Sequence, residues 1–326
     1  MSRCGKWRLS SLLVLLILAE LVAICAAEGN FDVVCSVTFH FKESRLSHLR
    51  KVLENVLSYQ TSVVKVFVTT NDVSRTQSAL NMMFGLSTGS IRVVSPPTSL
   101  LEDPLKLTWH HRAIFLEEHE KRSRRDDVVY LYLEDDILLP WAHLDHWHNF
   151  ADKLFVSTKL VPSFYRKDGD PRSPSLGMLT DQHENCNNAH FNPAETLIHL
   201  SGTDQHFVQL QNPYSASFAL TGTMMDDFLA SPEYDLKYME EFRNPMNWKT
   251  RELAASGMQF VDFKDGGVLQ ERIRSRGSSA VVFSDGQGQP LEVGAVYHLD
   301  VSLSSPNFCY ALKQMEGNDG GPSHEL

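Results

Sequence analysis

The chain has few cysteines and no excess of positive charge. Five of its 326 residues are cysteine, and 30 Lys and Arg stand against 40 Asp and Glu, so the formal net charge is −10. This balance argues against a nucleic-acid-binding surface. A basic run at residues 121–125 is followed at once by two aspartates, and we interpret it as the solvated end of a helix.

Motifs of several enzyme classes are absent as well. The sequence contains no P-loop, no Gly-x-Gly-x-x-Gly after a predicted strand, no His-Glu-x-x-His and no Gly-x-Ser-x-Gly elbow between a strand and a helix. The chemistries that depend on those motifs are therefore disfavoured. No Asn-x-Ser/Thr sequon occurs, so N-glycosylation gives no indication of the compartment.

Residues 1–27 form the clearest break in composition. Basic residues precede an apolar run from Leu12 to Ala27, which ends in small residues just before Glu28. This order predicts a secretory signal peptide or an N-terminal membrane anchor. The run is short for a spanning helix of about 20 residues, and Glu20 interrupts it. With either outcome we expect the remainder in the ER or Golgi lumen, secreted or held as a type II anchored protein.

The rest of the chain is expected to form one domain. The sequence is 42% hydrophobic, 10% aromatic and 21% charged, which is ordinary for a globular protein. We place the domain at residues 28–310 and a polar tail at 311–326, whose final His-Glu-Leu partly matches an ER-retention signal. Cys35, Cys186 and Cys309 remain outside the N-terminal segment, so at most one intramolecular disulfide can form among them.

Apolar periodicity predicts alternating strands and helices in the first half of the domain. Strands are predicted at Val33–Phe41, Val63–Thr69, Ile91–Val94 and Asp127–Leu133, with helices at Ser44–Ser58, Ser74–Phe84 and Trp109–Glu120 between them. Such repeats imply an α/β fold with a mainly parallel central sheet and helices on both faces. Ligands of such sheets bind beyond the carboxyl ends of the strands.

The second half is less regular. Residues 166–196 are polar and predict a long loop. Strands are predicted at Tyr214–Leu220 and Val293–Val301, with helices from Gly222 through Leu229 and at Thr250–Gly257.

Three carboxylates follow the fourth predicted strand directly. Glu134, Asp135 and Asp136 stand between an apolar strand and the apolar residues 137–139. Adjacent carboxylates repel one another and resist burial. A divalent cation resolves that conflict, because hard oxygen ligands suit Mg²⁺ or Mn²⁺. The triplet therefore predicts a metal site at the carboxyl edge of the sheet.

Taken with its surroundings, the triplet resembles the acidic motif of nucleotide-sugar glycosyltransferases of the GT-A fold. The order of the segments is most similar to that of the exostosin-like transferases. The segments that carry the resemblance are Arg112–Phe115 before the acidic strand, Tyr214–Gly222 with its Leu-Thr-Gly end, and Asn247–Ala254. The triplet begins with Glu where that family has Asp, and Glu252 stands alone where it has two adjacent carboxylates.

The resemblance implies a GT-A-like fold and a metal-dependent glycosyltransferase. The donor would be a nucleotide diphosphate sugar, first of all a UDP-sugar, and the acceptor a hydroxyl on a glycan, glycoprotein or lipid. Residues 28–140 would bind the nucleotide and residues 141–310 the acceptor. Mn²⁺ or Mg²⁺ would be held by Asp136 and by His298 near the end of the domain.

The resemblance and the strand ends together indicate further site residues. Glu134 and Asp135 would contact the ribose or the donor sugar, or the metal through water, and Asp135 is also predicted to be catalytic. Residues that we expect to border the nucleotide or its diphosphate are Thr38, Asn71, Asp72 and Arg112. Glu252 is the preferred general base or acceptor-orienting carboxylate. Its rivals are Glu240, Glu241, Asp226 and Asp227.

Two other functions stay open at this point. A metal-dependent hydrolase would use the histidine-rich segment from His143 to His148, and a secreted binding protein would retain the fold without turnover. On a helix, His143 and His146 share a face, whereas His148 and Asp145 point elsewhere. We therefore interpret the segment as an amphipathic helix whose Trp141, Leu144 and Trp147 pack inward.

Overall fold

A computed structural model describes residues 31–85, 89–101, 104–124, 127–168, 197–209, 215–242, 279–288 and 290–299. The predicted signal or anchor segment, the polar tail, every cysteine except Cys35, and the predicted helix at 250–257 with Glu252 lie outside these residues. Among the helices within those ranges, none is both long and apolar enough to cross a membrane.

Strands and helices alternate in the first half of the domain, as the sequence predicts. The helices are α1 (Leu46–Leu57), α2 (Val73–Phe84), α3 (Thr98–Leu101), α4 (His111–Glu120), α5 (Trp141–Thr158), α6 (Gly222–Leu229) and α7 (Leu236–Phe242). The strands are β1 (Asp32–Phe39), β2 (Val64–Thr70), β3 (Ile91–Val94), β4 (Val128–Glu134), β5 (Ile137–Leu138), β6 (Val161–Pro162), β7 (Tyr165–Asp168), β8 (Leu197–His199), β9 (His206–Gln209), β10 (Ser217–Thr221), β11 (Ala280–Ser284) and β12 (Ala295–His298).

The central sheet has five strands in the order β10-β4-β1-β2-β3. Strands β1 to β4 pair in parallel, and β10 joins β4 in antiparallel orientation. The order 3-2-1-4 of the parallel strands is that of the first four strands of a doubly wound α/β sheet. The predicted mixed α/β fold with a mainly parallel central sheet is therefore confirmed.

Strands β1 and β4 are buried on both faces. Every residue of β1 after Asp32 is buried, as is every residue of β4 before Glu134. Neighbouring residues of a strand point to opposite faces, so both faces of the sheet need cover. Helix α4 covers part of one face, because its Phe115 packs against Tyr130 of β4 with ring centroids 5.4 Å apart.

Helix α5 is amphipathic, as predicted. Its residues Leu144 and Trp147 are fully buried, and the half-buried Trp141 stacks on Phe31 at 5.3 Å between ring centroids. The Trp147 indole also donates a hydrogen bond to the Pro162 carbonyl, which satisfies its buried N–H.

The described residues also form two smaller sheets. One has the strand order β6-β11-β9-β8 and the other β5-β12-β7. Strand β5 begins directly after Asp136, and β12 pairs with it in antiparallel orientation. This pairing brings the late segment of the chain back to the end of β4.

Some boundaries differ from the sequence prediction for local reasons. Strand β10 begins at Ser217 rather than Tyr214, because Ala216 has a φ of 53°, outside the β region. Strand β12 begins only at Ala295, since Glu292–Gly294 form a turn of 3₁₀ helix. A 3₁₀ segment at Pro104–His110 likewise precedes α4, which begins two residues later than predicted.

Phe155 and Val156 are neighbours on α5 with opposite exposure. Phe155 is fully buried, whereas Val156 is 64% exposed. We expect Phe155→Ala to lower the free energy of unfolding by about 3–5 kcal/mol, because it leaves a cavity in the core. Val156→Ala, the matched control, should stay within about 0.5 kcal/mol of the wild type. Urea unfolding measures both, and equal losses would contradict the described packing.

Candidate functional site

The acidic triplet lies where the strand order of the central sheet reverses. In the parallel pairing of β1 with β4, Thr38 is the register partner of Glu134. Beyond β1 the chain proceeds to β2 on one side, while β4 lies on the other. The crevice between two such strands at their carboxyl ends is the usual ligand site of open α/β sheets. The triplet thus occupies the place where a ligand is expected.

Asp135 and Asp136 form the turn between β4 and β5. They are only 4% and 6% exposed, whereas Glu134 is half-buried. Burying two adjacent carboxylates is costly unless cations or hydrogen-bond donors compensate them. The contacts of these two side chains therefore decide what the site can do.

Arg45 compensates both buried carboxylates. Its Nε lies 2.8 Å from Asp135 Oδ2, and its Nη2 donates a hydrogen bond of 2.7 Å to Asp136 Oδ2. Arg45 ends the 3₁₀ turn Glu43–Arg45 that follows β1, so the loop after one strand supplies the counter-charge at the end of its neighbour. Burial lowers the pKa of Arg45, but attraction to the neighbouring carboxylates outweighs burial, so the pKa is raised overall.

His298 reaches Asp136 from the other side. In the β5–β12 pairing His298 is opposite Ile137, and Leu299 N donates to the Asp136 carbonyl at 2.8 Å. The buried His298 imidazole then places Nε2 3.3 Å from Asp136 Oδ2. The structure thus brings together the two residues predicted as metal ligands, although the ligand role itself remains a prediction.

The two aspartates differ in their proton affinity. Burial, together with repulsion from Asp136, raises the pKa of Asp135 well above its usual value. Burial acts in the same direction on Asp136, but the hydrogen bond and charge of His298, with Arg45 and Arg166, outweigh it and lower its pKa. The contacts with His298 and Arg45 therefore favour the ionised form of Asp136, whereas burial disfavours the ionised form of Asp135.

The donors around Asp136 fit a divalent cation. A carboxylate oxygen and an imidazole nitrogen are both ligands that Mn²⁺ accepts. Asp136 and His298 supply one of each in direct contact, and such ions commonly complete their shell with water and substrate phosphates. Within the described ranges, no group of three or more His, Cys, Asp or Glu residues forms a ready metal cage. Asp136 and His298 thus offer two ligands of the kinds that such an ion accepts, and the metal site stays a prediction.

Buried hydroxyls lie beside the triplet. Thr38 and Thr69 are register partners on β1 and β2, and Ser36 lies two residues before Thr38 on the same face. All three are buried, and their side-chain oxygens have no hydrogen-bond partner among the described residues. Buried polar groups in proteins usually have a hydrogen-bond partner, so we expect water or another group to bond these hydroxyls.

Asn71 and Asp72 have structural contacts at the end of β2. The Asn71 side chain accepts a hydrogen bond from Phe41 N at 2.7 Å, and Asp72 caps α2 by accepting from Arg75 N at 3.0 Å. Both therefore tie the carboxyl-edge loops together. Whether they also contact a nucleotide stays a prediction.

Arg112 lies within the fold rather than among the triplet's contacts. It is 2% exposed, and its Nη1 donates to the carbonyls of Glu233 and Tyr234 at 2.8 and 2.7 Å. Its guanidinium also lies over the rings of Trp109 and Phe228, at 3.7 and 4.7 Å from their centroids. These contacts give Arg112 a structural role, and its predicted contact with a diphosphate stays a prediction. The arginine that forms salt bridges with Asp135 and Asp136 is Arg45, which the sequence analysis missed.

The rivals of Glu252 are engaged in other contacts. His119 Nε2 lies 2.9 Å from an Asp226 carboxylate oxygen, and Lys159 Nζ lies 2.9 Å from an oxygen of Asp227. Glu241 lies on α7 with its carboxylate 3.9 Å from Lys237 Nζ. The side chain of Glu240 and the whole of Glu252 lie outside the described residues, so the choice of base stays a prediction.

The histidines of α5 each make a different contact. His143 donates from Nδ1 to the Ala295 carbonyl at 2.8 Å, and His148 stacks on Phe31 at 3.9 Å between ring centroids. His146 packs edge-on against Phe283 at 4.6 Å. These contacts favour the interpretation of α5 as a packing helix rather than a zinc-binding segment.

The string Gly-Leu-Ser-Thr-Gly at residues 85–89 matches the pattern of a hydrolase nucleophile elbow in letters only. It follows α2 and precedes β3, so it joins a helix to a strand. A nucleophile elbow joins a strand to a helix. The string therefore gives no support to a serine hydrolase.

Comparison with known proteins gives a loose structural likeness. No protein-family model and no curated protein sequence matches the chain. The galactosyltransferase LgtC in complex with donor and acceptor sugar analogues is similar, with a TM-score of 0.38 and 11% identity over 89% of this chain and 98% of that chain. GalNAc-T7 with UDP, GalNAc and Mn²⁺ has a TM-score of 0.39 and 11% identity over 84% and 44%. Such scores do not assign a family, and the exostosin-like resemblance stays a prediction.

Asp72 offers a test that separates capping from ligand binding. We expect Asp72→Ala to lower the free energy of unfolding by about 1 kcal/mol, whereas Asp72→Ser retains a capping oxygen and nearly all of the stability. Urea unfolding measures this difference. A loss of UDP binding by the stable Ser variant would then report the predicted nucleotide contact. Equal stability of the Ala variant and the wild type would contradict the cap.

Proposed function

We propose that the chain is a glycosyltransferase that transfers a sugar from a nucleotide diphosphate sugar to a hydroxyl acceptor. The preferred donor is a UDP-sugar, and the acceptor is a glycan, glycoprotein or lipid. The observation that carries the proposal is the contact of Asp136 with His298 at the point where the strand order of the sheet reverses. The proposal rests on this site and not on the loose likeness to LgtC and GalNAc-T7.

The donor site would lie across the carboxyl ends of β1, β2 and β4. The strand order 3-2-1-4 provides a crevice there for a nucleotide. The buried Thr38 hydroxyl faces this region without a described hydrogen-bond partner, and Asn71 and Asp72 end the adjacent strand. The half-buried Glu134, in register with Thr38, is placed to accept hydrogen bonds from the ribose or the donor sugar.

Asp136 and His298 would hold Mn²⁺ or Mg²⁺. A divalent cation bound there supplies charge stabilisation for the departing nucleotide diphosphate. The lowered pKa of Asp136 keeps its carboxylate anionic, which suits a metal ligand, and His298 offers its Nε2 on the same side. Asp135, whose pKa is raised, would instead hydrogen-bond the donor.

The acceptor would bind against the second half of the chain, with Glu252 as its general base. An inverting transfer needs a base within reach of the acceptor hydroxyl. The predicted N-terminal signal or anchor would place this reaction in the ER or Golgi lumen, where glycan, glycoprotein and lipid acceptors are met. If the assay described next shows no turnover of UDP-sugars, a binding protein with this fold is the alternative.

Replacement of Asp136 tests the proposed reaction. We expect Asp136→Asn to lower Mn²⁺-dependent release of UDP from a panel of UDP-sugars at least about a hundredfold, because the lost carboxylate carried charge stabilisation worth several kcal/mol. The matched control is Asp204→Asn, an exposed aspartate in the turn between β8 and β9. Its rate should equal that of the wild type. Full activity of Asp136→Asn would refute the proposed function.

Replacement of His298 tests the metal set separately. We expect His298→Gln to raise the Mn²⁺ concentration needed for half-maximal activity about tenfold or more, because metal ligands and their partners typically contribute that much to affinity. Saturating Mn²⁺ should restore most of kcat. His206→Gln on β9 is the control. An unchanged Mn²⁺ requirement for His298→Gln would remove this residue from the metal set.

A further inference from the structure

Arg45 occupies the position of a cation between Asp135 and Asp136. Its Nε and Nη2 lie 2.8 and 2.7 Å from one oxygen of each carboxylate. The Asp136 oxygen that it contacts, Oδ2, is the same atom that faces His298 Nε2 at 3.3 Å. A metal ion bound between Asp136 and His298 must therefore share this oxygen with Arg45 or displace it.

We propose that Arg45 is an internal counter-cation that competes with the divalent metal and moves to the donor diphosphate when the metal binds. The inference rests on the proposed function and adds a residue that sets metal affinity. Arg45 makes the burial of both carboxylates tolerable, because it supplies positive charge at hydrogen-bond distance. A bound metal would supply the same charge, so the two cations would compete for the Asp136 oxygen.

The exposure of the three side chains fits an exchangeable cation. The Arg45 side chain is 33% exposed, whereas those of Asp135 and Asp136 are 5% and 8% exposed. The carboxylates are thus buried, whereas the longer Arg45 side chain is partly open to solvent although its Nε is buried. Arg45 also lies on the turn directly after β1, next to the crevice where a diphosphate would bind. A guanidinium matches phosphate oxygens with two parallel hydrogen bonds.

The two possible roles of Arg45 predict opposite changes in metal affinity when the residue is replaced. If Arg45 only held the β4–β5 turn in shape, its removal would disorder the ligands and weaken metal binding. If Arg45 competes with the metal, its removal frees a negative charge for the metal and strengthens binding. Metal affinity in the absence of any nucleotide therefore separates the two roles.

Calorimetric titration of the purified chain with MnCl₂ tests the inference without reference to activity. We expect Arg45→Met to bind Mn²⁺ about tenfold more tightly than the wild type, since the removed cation repelled the metal at short range. Arg45→Lys keeps the charge but loses the two-pronged contact, so its affinity should lie between the two. The control is Arg50→Met on α1, an exposed arginine paired with Glu54, whose affinity should be unchanged.

Thermal unfolding and UDP binding provide the second readout. Arg45→Met should unfold at a lower temperature than the wild type without metal and show the larger stabilisation when Mn²⁺ is added. In saturating Mn²⁺ it should bind UDP about tenfold more weakly, because a phosphate contact is lost.

The outcomes separate this inference from the proposed function. The inference is overturned if folded Arg45→Met binds Mn²⁺ with an affinity equal to or lower than that of the wild type. It is also overturned if no variant binds Mn²⁺. If Arg45→Met does not fold, Arg45→Lys decides by the same comparison. Tighter Mn²⁺ binding by Arg45→Met, together with no turnover of UDP-sugars by the wild type, supports the counter-cation and contradicts the glycosyltransferase proposal alone.

Discussion

The compensation of two buried carboxylates at the end of β4 is the constraint on which the site depends. Asp135 and Asp136 sit in a turn between apolar strands, where water cannot stabilise their charge. Their partners come from distant parts of the chain: Arg45 from the loop after β1 and His298 from β12. The need to compensate these carboxylates therefore links the central sheet to the small sheet β5-β12-β7.

The fold meets this requirement through rigid backbone pairings. Thr38 and Glu134 are held side by side in the β1–β4 register, and the β5–β12 pairing places His298 beside Asp136. Strands that are buried on both faces give these positions little freedom. A metal and a nucleotide diphosphate would thus meet preorganised carboxylates, with the long Arg45 side chain as the adaptable component.

The first half of the fold was predictable because its signals are local. The apolar periodicity of β1 to β4 and of the helices between them can be recognised from neighbouring residues in the sequence. The triplet lies at the end of β4 in the same way. Arg45 was missed because an arginine in a polar turn has no local signature, and only the strand order brings it to Asp136. The environment of Arg112 was likewise not predictable, because the carbonyls and rings that bury it belong to residues distant in the sequence as well as to Trp109 nearby.

A crystal structure of the chain grown with UDP and MnCl₂ tests the central claim most directly. Anomalous scattering locates manganese independently of the protein atoms. The account predicts the ion at coordination distance from Asp136 Oδ2 and His298 Nε2, bound to the UDP diphosphate, with the uridine across the ends of β1 and β2. Manganese at other residues, or UDP bound away from the carboxyl edge of the central sheet, would contradict it.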